Sequence, residues 1–160
     1  MNEVQSQNLF NIENVCIGIA GLGGLGSNIA MMLARSGIRH FVLADFDIVD
    51  ESNLNRQHYF PEHLGRKKTE CISEQMLRLN PDLDLAVHDI LLTKDNMSSI
   101  FKNCRIVCEA FDRPDFKADL AAALLTELPD TIVISGSGMA GNESANTIRT
   151  IQRMRRLYIC

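Results

Sequence analysis

Six residues leave few folds open to this chain. Gly21-Leu-Gly23-Gly24-Leu-Gly26 follows the continuous apolar run Val15-Cys-Ile-Gly-Ile-Ala20 and precedes the helical stripe Ile29, Met32 and Leu33. An apolar run without polar alternation suits a strand covered on both faces. Glycines between such a strand and a helix let the backbone turn tightly and approach a ligand with no Cβ in the way. Free N–H groups and the dipole at the helix start then favour an anion. Alone, G-x-G-x-x-G is a weak signal; between a strand and a helix it predicts nucleotide binding over a merely tight turn.

The rest of the chain repeats the alternation. The first helix stops at Gly37, and His40-Phe-Val-Leu-Ala44 is a second buried strand ending in Asp45. Arg66 to Leu79 reads as a helix with Ile72, Met76 and Leu79 on one face, stopped by Asn80-Pro81. Leu83 to His88 alternates as a strand, and Thr93 or Asp95 caps a short helix to Phe101. Ile106-Val-Cys108 lies in a fourth strand ending in Glu109, and Pro114 opens a helix carrying Leu120, Leu124 and Leu128. Thr131 to Ser135 is a fifth strand, and Thr147 to Cys160 leaves room for one or two more. The pattern predicts a single domain over residues 1–160. Its fold class is α/β, a Rossmann-like doubly wound, mainly parallel sheet with helices on both faces. The apolar end, Leu157-Tyr-Ile-Cys160, reads as a chain that stops inside its natural domain.

Composition narrows the partners. Sixteen basic against twenty acidic residues give a net charge of −4, which argues against a broad nucleic-acid surface. No apolar run approaches the ~20 residues of a membrane span, and the polar start lacks the features of a targeting segment. Five cysteines, Cys16, Cys71, Cys104, Cys108 and Cys160, form no CxxC pair. Three of them, Cys16, Cys104 and Cys108, sit in apolar strand-like runs and read as small hydrophobes. A reducing, cytoplasmic compartment without a disulfide framework follows. His40, His58, His63 and His88 share no metal-ligand spacing. The basic run Arg149, Arg153, Arg155 and Arg156 reads as a solvated face.

Asp45 stands 19 residues after Gly26, where an acid accepts hydrogen bonds from ribose hydroxyls. To that point an NAD enzyme and an ATP enzyme fit equally. The segment from Asp45 to Lys68 favours ATP: Asp45-Phe-Asp47-Ile-Val49, Ser52-Asn53-Leu-Asn-Arg56-Gln57, then Gly65-Arg-Lys-Lys68. Attack at an α-phosphorus expels pyrophosphate, whose developing charge must be neutralised. Arg56 offers a planar fork matched to phosphate oxygens. Lys68 precedes Ile72 by four residues and Met76 by eight, so it continues an apolar stripe at the buried edge. It either reaches an anion in the cleft or snorkels over apolar surface. Lys67 and Arg66 fall on the solvated face. Asp112 follows the fourth strand near the switch point between strands one and four, placed to hold Mg²⁺ or to cap the next helix.

Together these segments resemble the ThiF/MoeB/HesA family, prokaryotic relatives of ubiquitin-activating enzymes. The matching elements are the glycine loop Gly21 to Gly26, Asp45 to Val49, Ser52 to Gln57, Gly65 to Lys68, and Glu109-Ala-Phe-Asp112, spread over roughly residues 12–140. Ser52-Asn53-Leu-Asn-Arg56-Gln57 at that distance from the glycine loop is the specific signal; the short ThiF-like branch is the nearest match. The resemblance implies an adenylyltransferase of thiamine biosynthesis or related sulfur transfer. It would use ATP and Mg²⁺ to adenylate the C-terminal glycine carboxylate of a ubiquitin-like sulfur carrier ending in Gly-Gly. It implies a homodimer without membrane or nucleic-acid partners. Catalytic roles fall to Arg56, Lys68 and Asp112, with Asp112 also serving the metal. Nucleotide contacts fall to Gly21, Gly23, Gly24, Gly26, Asp45, Asp47, Asn53 and Gln57.

Three departures from the family stand out. Its dimer supplies an arginine from ahead of the first strand, whereas the first arginine here is Arg35. Its zinc site of two CxxC pairs has no counterpart, and Glu109 replaces the usual Asp. The loop from Gly136 to Gly141 is small-sided enough to admit an extended Gly-Gly tail. Two other readings remain at this level: an NAD- or FAD-binding oxidoreductase resting on the glycine loop and Asp45, and a non-catalytic scaffold that binds nucleotide or carrier.

Overall fold

The apolar runs become strands in a computed structural model that describes residues 14–137, 146 and 148–160. The strands are β1 (Cys16–Ala20), β2 (His40–Asp45), β3 (Asp84–Asp89), β4 (Ile106–Glu109), β5 (Ile132–Ser135), β6 (Ile151–Met154) and β7 (Leu157–Ile159). They form one sheet in the order β3-β2-β1-β4-β5-β7-β6, parallel except for the β6–β7 pair. Strand β1 lies between β2 and β4, with Ile19 opposite Leu43 on one side and Cys108 on the other. That is the doubly wound order expected, extended at the β5 edge by two short strands.

Helices cover both faces. On one, α1 (Gly26–Arg35) and α2 (Lys68–Leu79) pack Ala30, Ile72 and Met76 against Ile17, Ile19 and Leu43. On the other, α3 (Lys94–Phe101) and α4 (Pro114–Glu127) pack Phe101, Leu120 and Leu124 against Ala20, Val42 and Val107. Helix α1 ends at Ser36, and Gly37 beyond it takes φ +97°; Gly37 N–H bonds Ala34 and Ile38 N–H bonds Leu33. This double closure satisfies the last carbonyls and needs a left-handed residue.

Several expected details shift. The buried face of α1 is Ser27, Ala30, Met31 and Ala34, while Met32 is 67% exposed. Small residues face the sheet because α1 starts so close to β1 that bulk is excluded there. Helix α2 begins at Lys68, two residues later than expected, because residues 65–67 pair with the segment after β2: Val49 N–H bonds Arg66 O and Lys68 N–H bonds Asp47 O. The residue preceding α4 is Arg113, not Asp112, and no side chain caps that helix. Arg156 does not lie on a solvated face. Its guanidinium bonds the carbonyls of Leu125, Leu128 and Thr131 and so ties off the end of α4. Arg149, Arg153 and Arg155 are exposed as expected. Among the described residues, no helix is long and apolar enough to cross a membrane.

Candidate functional site

The site begins with the glycine loop. Gly21 takes φ +91° and donates to Ala44 O, which turns the chain out of β1 beside β2. A Cβ added at Gly26 would overlap the carbonyl oxygen of Gly21, so only glycine lets α1 start this close to the strand. Gly26→Ala is expected to push α1 off β1 at a cost of about 3 kcal/mol, a fall of roughly 10 °C in the thermal midpoint. A wild-type melting curve would show that the helix reseats freely.

Asp45, the last residue of β2, is buried. Its carboxylate accepts the N–H groups of Leu22 and Asp47, the latter at 2.7 Å. It therefore staples the glycine loop to the turn after β2. Tyr59 holds the same loop from outside, donating its hydroxyl to Leu22 O at 2.8 Å. Burial pushes the Tyr59 phenol far above its ordinary value, which keeps it a neutral donor.

The long connection after β2 is shaped by local hydrogen bonds. Asp50 accepts from Ser52 N–H at 2.9 Å, and Asn53 Oδ1 accepts from Asp50 N–H at 3.0 Å. This reciprocal pair starts a short helical turn (Glu51–Asn53), and Arg56 and Gln57 N–H then bond Asn53 O. Asn28 of α1 donates to both Gly24 O and Arg56 O, while His58 N–H bonds Ser27 Oγ. These bonds fix the segment over the start of α1. Arg56 lies with its side chain against Gly24, its guanidinium donating to Ser52 O and Asn55 Oδ1.

A cavity of about 640 Å³ opens at the C-terminal ends of β1 and β4. Gly21, Gly23 and Gly24 line it together with Asp45, Asp47, Arg56, Gln57, Lys68 and Asp112, so nearly all the residues singled out by sequence meet there. Lys68 is buried, and its Nζ bonds Asp47 Oδ2 at 2.7 Å. Gln57 Oε1 is buried without a hydrogen-bond partner. Asp112 is exposed at the rim beside Arg113. Two expected residues stay out of the lining: Gly26 packs the helix, and Asn53 spends its side chain on the turn that presents Arg56.

The structure adds a cation that the sequence reading passed over. Lys117 of α4 lines the cavity and donates to Glu109 Oε1 and Oε2, both at 3.1 Å, and to Gly136 O at 3.0 Å. Glu109 is 1% exposed and also accepts from Phe111 N–H and Ser135 Oγ. The signal was present: Lys117 precedes Leu120 by three residues and Leu124 by seven, the stripe argument that picked out Lys68. An apolar wall of Phe46, Ile90 and Leu91 completes the cavity, each of them more than 40% exposed. Gly136 lines it too, while residues 138–141 of the small-residue loop lie outside those described. Among the described residues, no three His, Cys, Asp or Glu side chains converge as metal ligands.

A doubly wound, mainly parallel sheet with a glycine loop and the basic side chains Arg56, Lys68, Arg113 and Lys117 lining the cavity at its switch point defines a Rossmann-like α/β domain. The chain belongs to the ThiF family, whose model matches residues 1–154. It is 33% identical over 124 residues to the sulfur carrier protein ThiS adenylyltransferase of Escherichia coli, covering 77% of this chain and 49% of that protein. It is 39% identical over 95 residues to ubiquitin-like modifier-activating enzyme 5 of Dictyostelium discoideum, covering 59% of this chain and 25% of that protein. Among solved structures, the E. coli tRNA N6-threonylcarbamoyladenosine dehydratase in complex with ATP superposes with a TM-score of 0.81 at 30% identity, covering 88% of this chain and 58% of that one. The chain thus spans about a quarter to a half of the length of these two curated relatives.

Proposed function

We propose that this chain binds ATP in the switch-point cavity and transfers AMP to the C-terminal glycine carboxylate of a ubiquitin-like sulfur carrier, a ThiS-like protein of thiamine biosynthesis. The observation that carries this reading is the gathering of Arg56, Lys68 and Lys117 into the cavity lined by the glycine loop. With Arg113 at the rim, four basic side chains line the cavity, which suits a triphosphate better than a nicotinamide. The names of the relatives, which include a carrier adenylyltransferase and an ATP complex, point the same way.

In this reading the backbone N–H groups around Gly23 and Gly24 face phosphate oxygens. Phe46, Ile90 and Leu91 take the adenine, and Asp45 offers its remaining lone pairs to the ribose. Asp47 aims the Lys68 ammonium, while Arg56 supplies its fork and Gln57 its amide N–H, which lies beside Gly23. A carrier carboxylate oxygen attacks the α-phosphorus, the bond from that phosphorus to the bridging oxygen breaks, and pyrophosphate leaves with its charge met by Arg56 and Lys68. No side-chain nucleophile is needed.

Magnesium fits the donor set at the rim: Asp112 is a hard oxygen ligand whose carboxylate accepts no hydrogen bond among the described residues. When bound, the ion would supply charge screening between phosphate oxygens. The homodimer and cytoplasmic setting expected from the sequence belong to the same proposal.

The likeness to a tRNA-modifying dehydratase favours a second reading, in which the acceptor carboxylate is carried on the threonyl group of a modified tRNA. The test is exchange of labelled pyrophosphate into ATP. Exchange that depends on a Gly-Gly-ended carrier supports the first reading, and exchange that depends on modified tRNA supports the second. NADH binding with no ATP binding would overturn both.

A further inference from the structure

At the end of the sheet opposite the glycine loop, three paired residues stand side by side: Cys16 opens β1, His40 opens β2 and Asp84 opens β3. Registered neighbours on parallel strands project to the same face. His40 Nδ1 and Asp84 Oδ2 are 3.0 Å apart. Cys16 Sγ lies 3.7 Å from Cys104 Sγ, in the segment leading into β4. The backbone around both thiols is fastened: Arg105 N–H bonds Cys16 O, Cys104 N–H bonds Phe101 O, and Thr131 Oγ1 donates to Cys104 O.

A second cavity, of about 350 Å³, reaches this cluster and is lined by Cys16, His40 and Asp84 with Asn14 and Asn103. Cys104 is buried behind Cys16 and does not line it. One thiol is therefore open to small molecules and the other lies in contact behind it. Among the described residues, no group of three His, Cys, Asp or Glu side chains here is arranged to hold a metal ion.

We propose that Cys16 and Cys104 are a redox-active dithiol, a modification site for small disulfides of the oxidised-glutathione class, with Cys16 as the attacking sulfur and Cys104 as the resolving one. Hydrogen bonding from Cys104 lowers the Cys16 thiol to about 7, aided by His40 and opposed by burial and Asp84. The same bond, with burial, raises Cys104. Cys16, the thiol that reaches the cavity, meets the disulfide first, and Cys104, buried behind it, follows.

The Cys16 thiolate attacks one sulfur of the disulfide, whose S–S bond breaks to release one glutathione thiolate. Cys104 then attacks the Cys16 sulfur of the mixed disulfide and gives its proton to the second departing glutathione. Two protein thiols are oxidised and one glutathione disulfide is reduced to two thiols. Both cysteines pack in the apolar core as the sequence implies, and the proposal adds a chemical role to that packing; all five are free thiols.

The test is peptide mapping of the full chain after incubation with oxidised glutathione and acid quenching. The expected product is a Cys16–Cys104 bridge. Cys104→Ala is expected to retain one glutathione on Cys16, and Cys16→Ala to leave Cys104 unmodified. Glutathione held on Cys16 in the wild-type chain with no bridge, or modification confined to exposed Cys160, overturns the proposal. A second measurement needs no variant: iodoacetamide at neutral pH should label Cys16 roughly tenfold faster than Cys71 and Cys108, whose thiols burial raises. Equal rates would also overturn it.

Discussion

Arg56→Ala combined with Lys68→Met is expected to weaken ATP binding at least about a hundredfold while leaving the fold intact. Each removes a charged donor from the cavity, and a hydrogen bond to a charged group contributes ~1.5–3 kcal/mol. Two such losses exceed the ~2.8 kcal/mol that a hundredfold change represents. The fold should tolerate both. Arg56 is exposed, and methionine keeps the apolar stem of Lys68 in the α2 stripe. The Asp47 carboxylate left behind is about half exposed and returns to water. Its backbone bond from Lys68 N–H survives the change. Titration calorimetry checks the affinity, and a circular-dichroism melt checks the fold. Undiminished binding would remove both residues from the phosphate site.

Glu109→Ala should act oppositely, through stability. Among the described residues, Glu109 is the carboxylate partner of Lys117, and it also takes hydrogen bonds from Ser135 and Phe111. Its loss leaves an ammonium that is 17% exposed with the Gly136 carbonyl as its acceptor among the described residues. Breaking a buried pair on one side costs ~3–5 kcal/mol, and the partial exposure of Lys117 places the cost near the lower figure. A drop of roughly 10 °C in the thermal midpoint follows. Adding Lys117→Met should recover part of it, because the uncompensated charge is gone. If the single variant melts within a degree or two of wild type, water already satisfies Lys117.

Much of this architecture was legible because the largely buried strands β1, β2 and β4 leave unbroken apolar runs, while β3 at the sheet edge shows by its alternation. The glycine loop was legible because its spacing matters only between a strand and a helix, and both neighbours were readable. Lys68 could be placed from its stripe. The misses have physical causes. In α1 the packing face was set by backbone closeness at Gly26, so small Ala30 and Ala34 went inward and Met32 outward. Hydrophobicity cannot report that. Asn53 was drawn into its own turn, because short polar side chains compete for nearby backbone groups. Arg156 reached carbonyls of α4 across 25 to 31 residues, a contact no local pattern encodes. Lys117 was passed over although its helical spacing carried the needed information.

The central position of β1 gives the molecule a midline. Its two neighbours come from opposite halves of the polypeptide: β2 follows directly, whereas β4 arrives after both β3 and α3 have intervened. The residues lining the cavity come from both halves, with Asp45 and Arg56 before the divide and Asp112 and Lys117 beyond it. A ligand held across that seam would clamp the two halves, and separation along the seam would expel it. By mass action, nucleotide and sheet integrity protect one another.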